Sequence, residues 1–175
     1  MLAVAAAALA LAGAACSPDD DGPSTGTSST SAMTGSSTTS TLTAGDAEVL
    51  AAYRAFWDAY LAAADPMDPE HPGLAEHATG KQLETLQRAF LARKAGGEVI
   101  RGTLDLAPRV VSVTGDNAAV RDCYLDSSGV YDAATGTRKD TPSGTRHLVT
   151  ASLVRDGGVW KVSDLKKEGD GCTAA

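Results

Sequence analysis

The side chains in this sequence best able to do chemistry are spaced two apart. From Ala118 to Asp126, strand alternation puts Val120, Asp122, Tyr124 and Asp126 on one face and Arg121, Cys123 and Leu125 on the other. The same period aligns His147, Val149, Ala151 and Leu153 in a later run, and Trp160, Val162 and Asp164 in the last. If these three faces turn toward the helices that precede them, Asp122, Tyr124, His147 and Asp164 meet Tyr53, Trp57 and Tyr60. That makes a half-apolar cavity with a few polar groups, the usual make-up of a small-ligand site. Within it Asp122 and His147 are the candidates for acid–base work, because a carboxylate held in apolar surroundings serves as a general base.

The same residues also fit a structural role. Asp122 can accept hydrogen bonds from the backbone or from Arg121 at a strand end. His147 reads equally well as a half-buried, satisfied histidine, and Tyr53, Trp57 and Tyr60 as core. Were Cys123 to face inward, Asp122 and Tyr124 would point to solvent and the cavity would vanish. The short catalytic motifs G-x-S-x-G, H-E-x-x-H and G-x-x-x-x-G-K-[ST] are missing, and no G-x-G-x-x-G follows a strand. His71 and His77 are six apart among prolines, the wrong spacing for two ligands on one helical turn. We therefore expect no metal and no cofactor.

The elements that must hold these residues follow from periodicity. Val49, Tyr53, Phe56, Trp57, Tyr60, Leu61 and Ala64 recur at three- and four-residue steps, predicting an amphipathic helix over Asp46 to Ala64 capped by Thr43 or Asp46. Four of the chain's eight aromatic residues lie in it. Asp65 to Gly73 holds three prolines and reads as a loop. Leu74 to His77 suits one helical turn. Thr79 and Gln82 have the spacing of a capping box for a helix running to about Ala95, with Leu83, Leu86 and Phe90 inward and Gly96-Gly97 ending it. Beyond Gly97 the period becomes two. Strand-like runs cover Glu98 to Val113, Ala118 to Asp126, Thr145 to Arg155 and Val159 to Lys167, with a bend at Pro108. Gly115-Asp116-Asn117 and Asp156-Gly157-Gly158 read as hairpin turns, and Ser127 to Gly144 as a polar excursion with a turn at Asp132 to Gly136 and Tyr131 at its base. Helices followed by an antiparallel meander predict an α+β domain with a four-stranded sheet covered on one face.

The remainder of the 175 residues cannot join that domain. Leu2 to Ala12 is an apolar run of 11 residues, shorter than the roughly 20 a spanning helix needs, and matches the core of a secretory signal. Gly13-Ala14-Ala15-Cys16 follows it and resembles the lipobox of bacterial lipoproteins. The resemblance implies a signal over 1–15, lipidation of Cys16, and a protein held on the outer face of the cell membrane. No Lys or Arg precedes the run, so we expect a start codon further upstream. An ordinary signal peptide, cleaved after Ala14 or Ala15, is the alternative. Residues 16–44 read as a disordered tether: Ser17 to Ala44 holds 8 Ser, 8 Thr and 3 Gly, open to O-glycosylation. The tether has a root-mean-square reach of roughly 30 Å. With Cys16 lipidated, Cys123 and Cys172 are left as a pair that an oxidising compartment would join. The net charge is −7, with Asp19, Asp20 and Asp21 supplying three of the negatives and no Lys or Arg before residue 45. The domain over 45–175 thus lacks the basic excess of a nucleic-acid binder, and we expect no nucleic-acid partner.

The order of elements, with Val49 to Tyr60, His147-Leu148-Val149-Thr150-Ala151 and Val159-Trp160-Lys161-Val162, resembles the nuclear-transport-factor-2-like superfamily, which includes ketosteroid isomerase and SnoaL-like cyclases. The tether, Asp122-Cys123, the His147 strand, Trp160-Lys161-Val162 and the late Cys172 resemble actinobacterial lipoproteins of unknown function. The resemblance implies an anchored, cone-shaped domain and no particular reaction. We expect a non-enzymatic binding or accessory domain, with a small apolar ligand between the first helix and the His147 strand. The alternatives are a small enzyme of the isomerase or SnoaL type, or a module that dimerises or docks an envelope protein through its sheet.

Overall fold

The computed structural model describes residues 43–141 and 144–174. The expected signal over 1–15, Cys16 and the tether up to residue 42 lie outside the described residues. Helix α1 spans Ala44–Ala64 and starts two residues before the periodic stretch, because Thr43 and Asp46 form a reciprocal capping box, each side chain 3.1 Å from the other's backbone nitrogen. Its apolar face buries Val49, Leu50, Tyr53, Phe56 and Trp57. Helix α2 is the single turn Pro72–His77, and α3 spans Gly80–Ala95 with Leu86 and Phe90 buried. Thr79 does not cap α3 through its side chain; the hydroxyl donates to Asp156 at 3.4 Å instead. Gln82 is thereby released from the capping box expected of it.

Among the described residues seven strands follow: β1 (Glu98–Arg101), β2 (Leu104–Asp105), β3 (Arg109–Thr114), β4 (Asn117–Asp126), β5 (Gly129–Asp132), β6 (Thr145–Asp156) and β7 (Val159–Asp170). The main sheet is antiparallel, curved and open. It has five strands rather than the four expected, because the run Glu98 to Val113 breaks into three pieces. The first break is Gly102, whose φ of 135° only glycine adopts readily and whose Cα lies against Ser127 and Ser128. The second is the segment around Pro108. Both β2 and β3 pair with β4, at opposite ends of it, followed across the sheet by β6 and β7. β1 leaves the main sheet and pairs with β5 from the polar excursion, where Tyr131 sits under the guanidinium groups of Arg101 and Arg138.

The inner face of the sheet carries Val120, Ala151, Leu153, Trp160 and Val162, all buried with α1 and α3 in one cluster. Each large apolar side chain taken from water there contributes roughly 1.5–3 kcal/mol. Cys123 lies between Asp122 and Tyr124 and so takes the outer face, where it is joined to Cys172 with Cα atoms 5.9 Å apart. The disulfide fits an oxidising compartment. Among the described residues no helix is long and apolar enough to cross a membrane.

Candidate functional site

Asp122 is 1% exposed and faces α1, as alternation predicts. Its Oδ2 accepts from the Tyr53 hydroxyl at 3.0 Å and its Oδ1 from the Ala107 amide at 2.8 Å. Burial pushes the carboxyl above its ordinary range, while the donated hydrogen bonds and Arg54 work against that shift. Tyr53 is wholly buried, and burial and Asp122 both push its hydroxyl upward. The pair ties α1 to β4 and to the bend before β3. Both carboxylate oxygens are occupied by the protein itself. A general base needs a free lone pair within reach of a substrate proton; each Asp122 oxygen keeps one, but the side chain is 1% exposed.

Two residues further along β4 the same face opens. Tyr124 meets Trp57 with ring centroids 5.2 Å apart, and Trp57 meets Tyr60 at 5.5 Å. These three rings wall a half-open pocket of about 150 Å³, completed by Phe56, Gln82, Leu86, Leu104, Asp126, Ser128 and Leu165. Gln82 is 7% exposed as a whole residue; its amide has no hydrogen-bond partner among the described residues and is not a fully buried group, so it meets the pocket's solvent. Trp57 is 6% exposed, and its Nε1 is also without a partner there. A buried polar group left unpaired costs about 1–3 kcal/mol. Asp126 Oδ1 accepts from the Ser128 amide at 2.8 Å, and Oδ2 has no partner among the described residues. Burial, with Asp126 next in weight, pushes the Tyr124 hydroxyl up to about 12.

Neither a protein-family model nor a curated protein matches this chain. Among solved structures, it is similar to the intermembrane-space region of the chloroplast protein ARC6, at 16% identity and a TM-score of 0.51, over 68% of this chain and 95% of that one. That likeness extends to the fold, helices followed by an open antiparallel sheet.

Of the seven residues expected in the cavity, Trp57, Tyr60 and Tyr124 line the pocket. Tyr53 and Asp122 lie deeper and close on each other. His147 packs against Tyr124, ring centroids 5.4 Å apart and planes tilted by 55°, and is hydrogen-bonded through Nδ1 to Asp170. Asp170 is held below the ordinary carboxylate range by Lys167 and then by His147. Asp164 is not in the cavity at all. The register between β6 and β7 slips between Ser152 and Leu153, so Ser163 is extra and the following residues of β7 change face, until a second slip between Leu148 and Val149 makes Glu168 extra. Leu165 therefore takes the inward position expected of Asp164, which pairs instead with Lys81 at 3.5 Å on the surface. Gln82, Leu86, Leu104, Asp126 and Ser128 complete the site without having been singled out. Leu86 and Asp126 had already been assigned inward faces; Leu104 and Ser128 gave no signal. Among the described residues no three of His, Cys, Asp or Glu come together as metal ligands.

Proposed function

We propose that the protein is an exported, lipid-anchored binding domain of the nuclear-transport-factor-2-like type, non-enzymatic, tethered to the outer face of the membrane through Cys16 and residues 17–44. The observation that carries the binding reading is the pocket's lining: three aromatic rings beside a Gln82 amide and an Asp126 oxygen that have no hydrogen-bond partner among the described residues. Both groups are left to solvent in the pocket, so a ligand that pairs them replaces water there. Against catalysis stands the burial of Asp122, 1% exposed and held by Tyr53 and Ala107, outside the lining of the aromatic pocket. The pocket also has room for about one benzene-sized group, below the roughly 300–1,000 Å³ of sites for larger organic ligands. Docking through the sheet has one observation in its favour, the exposed Val111 and Val113 on edge strand β3. The export half rests on the apolar run before Cys16, the tether, and the disulfide.

Two measurements test the two halves. Cys16→Ala releases the protein into the medium; retention on the membrane equal to that of the wild type would sink the anchor. In a thermal-shift screen of single-ring compounds, a ligand at a hundredfold excess over its Kd adds about 2.7 kcal/mol. Leu86→Trp, which fills the pocket, abolishes the shift. A shift that survives Leu86→Trp puts the ligand elsewhere, and turnover of a hit that Asp122→Asn abolishes would restore the enzyme reading.

A further inference from the structure

The pocket's electrostatics specify its ligand more narrowly, an inference that rests on the binding reading above. The Tyr60 and Tyr124 rings are inclined to the Trp57 ring by 80° and 48°. All three rings wall the pocket, and an aromatic face carries negative potential. Asp126 supplies the one full charge in the described lining, and no Lys or Arg is present there. Asp122 and Asp170 add to the same field, since both act on Tyr124 from behind. Asp170 is partly offset by His147 and by Lys167 at 2.8 Å. Arg93 acts on Tyr60, but Glu98 holds its guanidinium at 3.1 Å and takes Lys139 at 2.7 Å as well.

We propose that this pocket binds an organic cation, a methylated ammonium group of the size found in choline. Anions meet one carboxylate, three rings and no base. A guanidinium asks for a two-pronged carboxylate, and one Asp126 oxygen is already taken by Ser128. A primary ammonium is strongly hydrated and asks for several acceptors. A methylated ammonium is weakly hydrated, needs ring faces and one nearby charge, and fits about 150 Å³. Gln82 then pairs with the polar group that the cation carries on its free arm.

The test is calorimetric titration of the purified full chain at low salt with choline and with 3,3-dimethylbutan-1-ol, its neutral carbon isostere. Choline binds, and the isostere binds at least about tenfold more weakly. Asp126→Asn weakens choline about tenfold and leaves the isostere within about twofold, whereas Asp126→Glu restores most of the choline affinity. Tyr124→Leu weakens both. Equal binding of choline and its isostere overturns the cation while leaving the pocket a ligand site. Binding of neither overturns the cation as well. If phenol then also leaves Trp57 fluorescence unchanged, in a Trp160→Phe background, the binding reading falls with it.

Discussion

Asp122 and Tyr124 are neighbours on one face of one strand, and their surroundings set them to opposite uses. Around Asp122 every polar atom is paired: Tyr53 donates to one oxygen, Ala107 to the other, and the side chain is 1% exposed. Around Tyr124 the apolar walls are as good, but Gln82, Trp57 Nε1 and Asp126 Oδ2 lack partners among the described residues. Burial alone therefore does not mark a functional group. What separates structural from available polar atoms in a low-dielectric interior is whether their hydrogen bonds are already made.

The largest effect should come from Trp57, which belongs to both regions. Trp57→Ala removes core packing beneath Tyr53 and Phe56 and one wall of the pocket, and should cost about 3–5 kcal/mol in a urea titration. A loss below about 1 kcal/mol would make Trp57 pocket lining only. Reducing the Cys123–Cys172 bond acts from the outer face and serves as a control common to both regions. Its loop separation of 49 residues gives about 4 kcal/mol in the chain-entropy treatment. The native protein should show no titratable thiol from these two cysteines, and reduction should lower the melting temperature by several °C.

Smaller effects should separate the two regions directly. Tyr53→Phe deletes one donor to a buried carboxylate and should cost about 1–3 kcal/mol. Gln82→Leu deletes an amide that meets solvent and has no partner among the described residues, and should be neutral within about 0.5 kcal/mol, or stabilising. If Gln82→Leu proves the costlier of the two, the contrast between closed and open regions is wrong.

The smallest effect is a pH dependence. Asp122's folded value is raised above its ordinary 3.8 by burial. Its contribution to stability is therefore fully present below the unfolded value and fades as pH rises through the folded one. Asp122→Asn removes that dependence, so the variant should gain stability relative to the wild type as pH rises from below the ordinary carboxylate range through it. Asp170 has the opposite sign, its value being lowered, but it is common to both proteins and cancels in the difference.

Much of this arrangement was readable from spacing. The α1 aromatic stripe, the inward set Val120, Asp122 and Tyr124, and the outward Cys123 all follow from periods of 3.6 and 2.0. Two kinds of residue were not readable. Asp164 is misplaced because a bulged residue, Ser163, inverts β7 as far as the second slip at Glu168, and nothing in Lys161-Val162-Ser163-Asp164 marks it. Gln82 was assigned to a cap because its distance from Thr79 is right, but the Thr79 hydroxyl is drawn 77 residues away to Asp156. Leu104 enters the pocket because Gly102 breaks the long run, so that a fragment of two residues pairs with the far end of β4. Each failure comes from a long-range pairing overriding a sound local signal.

The contrast between closed and open regions is tested most directly by side-chain NH resonances. In a 15N-labelled protein, the Trp57 indole and Gln82 amide protons each give their own signal, and the Ala107 backbone amide reports on Asp122. Titration with a single-ring or methylammonium ligand should move the Trp57 and Gln82 signals together and leave Ala107 in place. A ligand that moves Ala107 while Trp57 and Gln82 stay fixed would show that the Asp122 region is the accessible one, and would contradict the account.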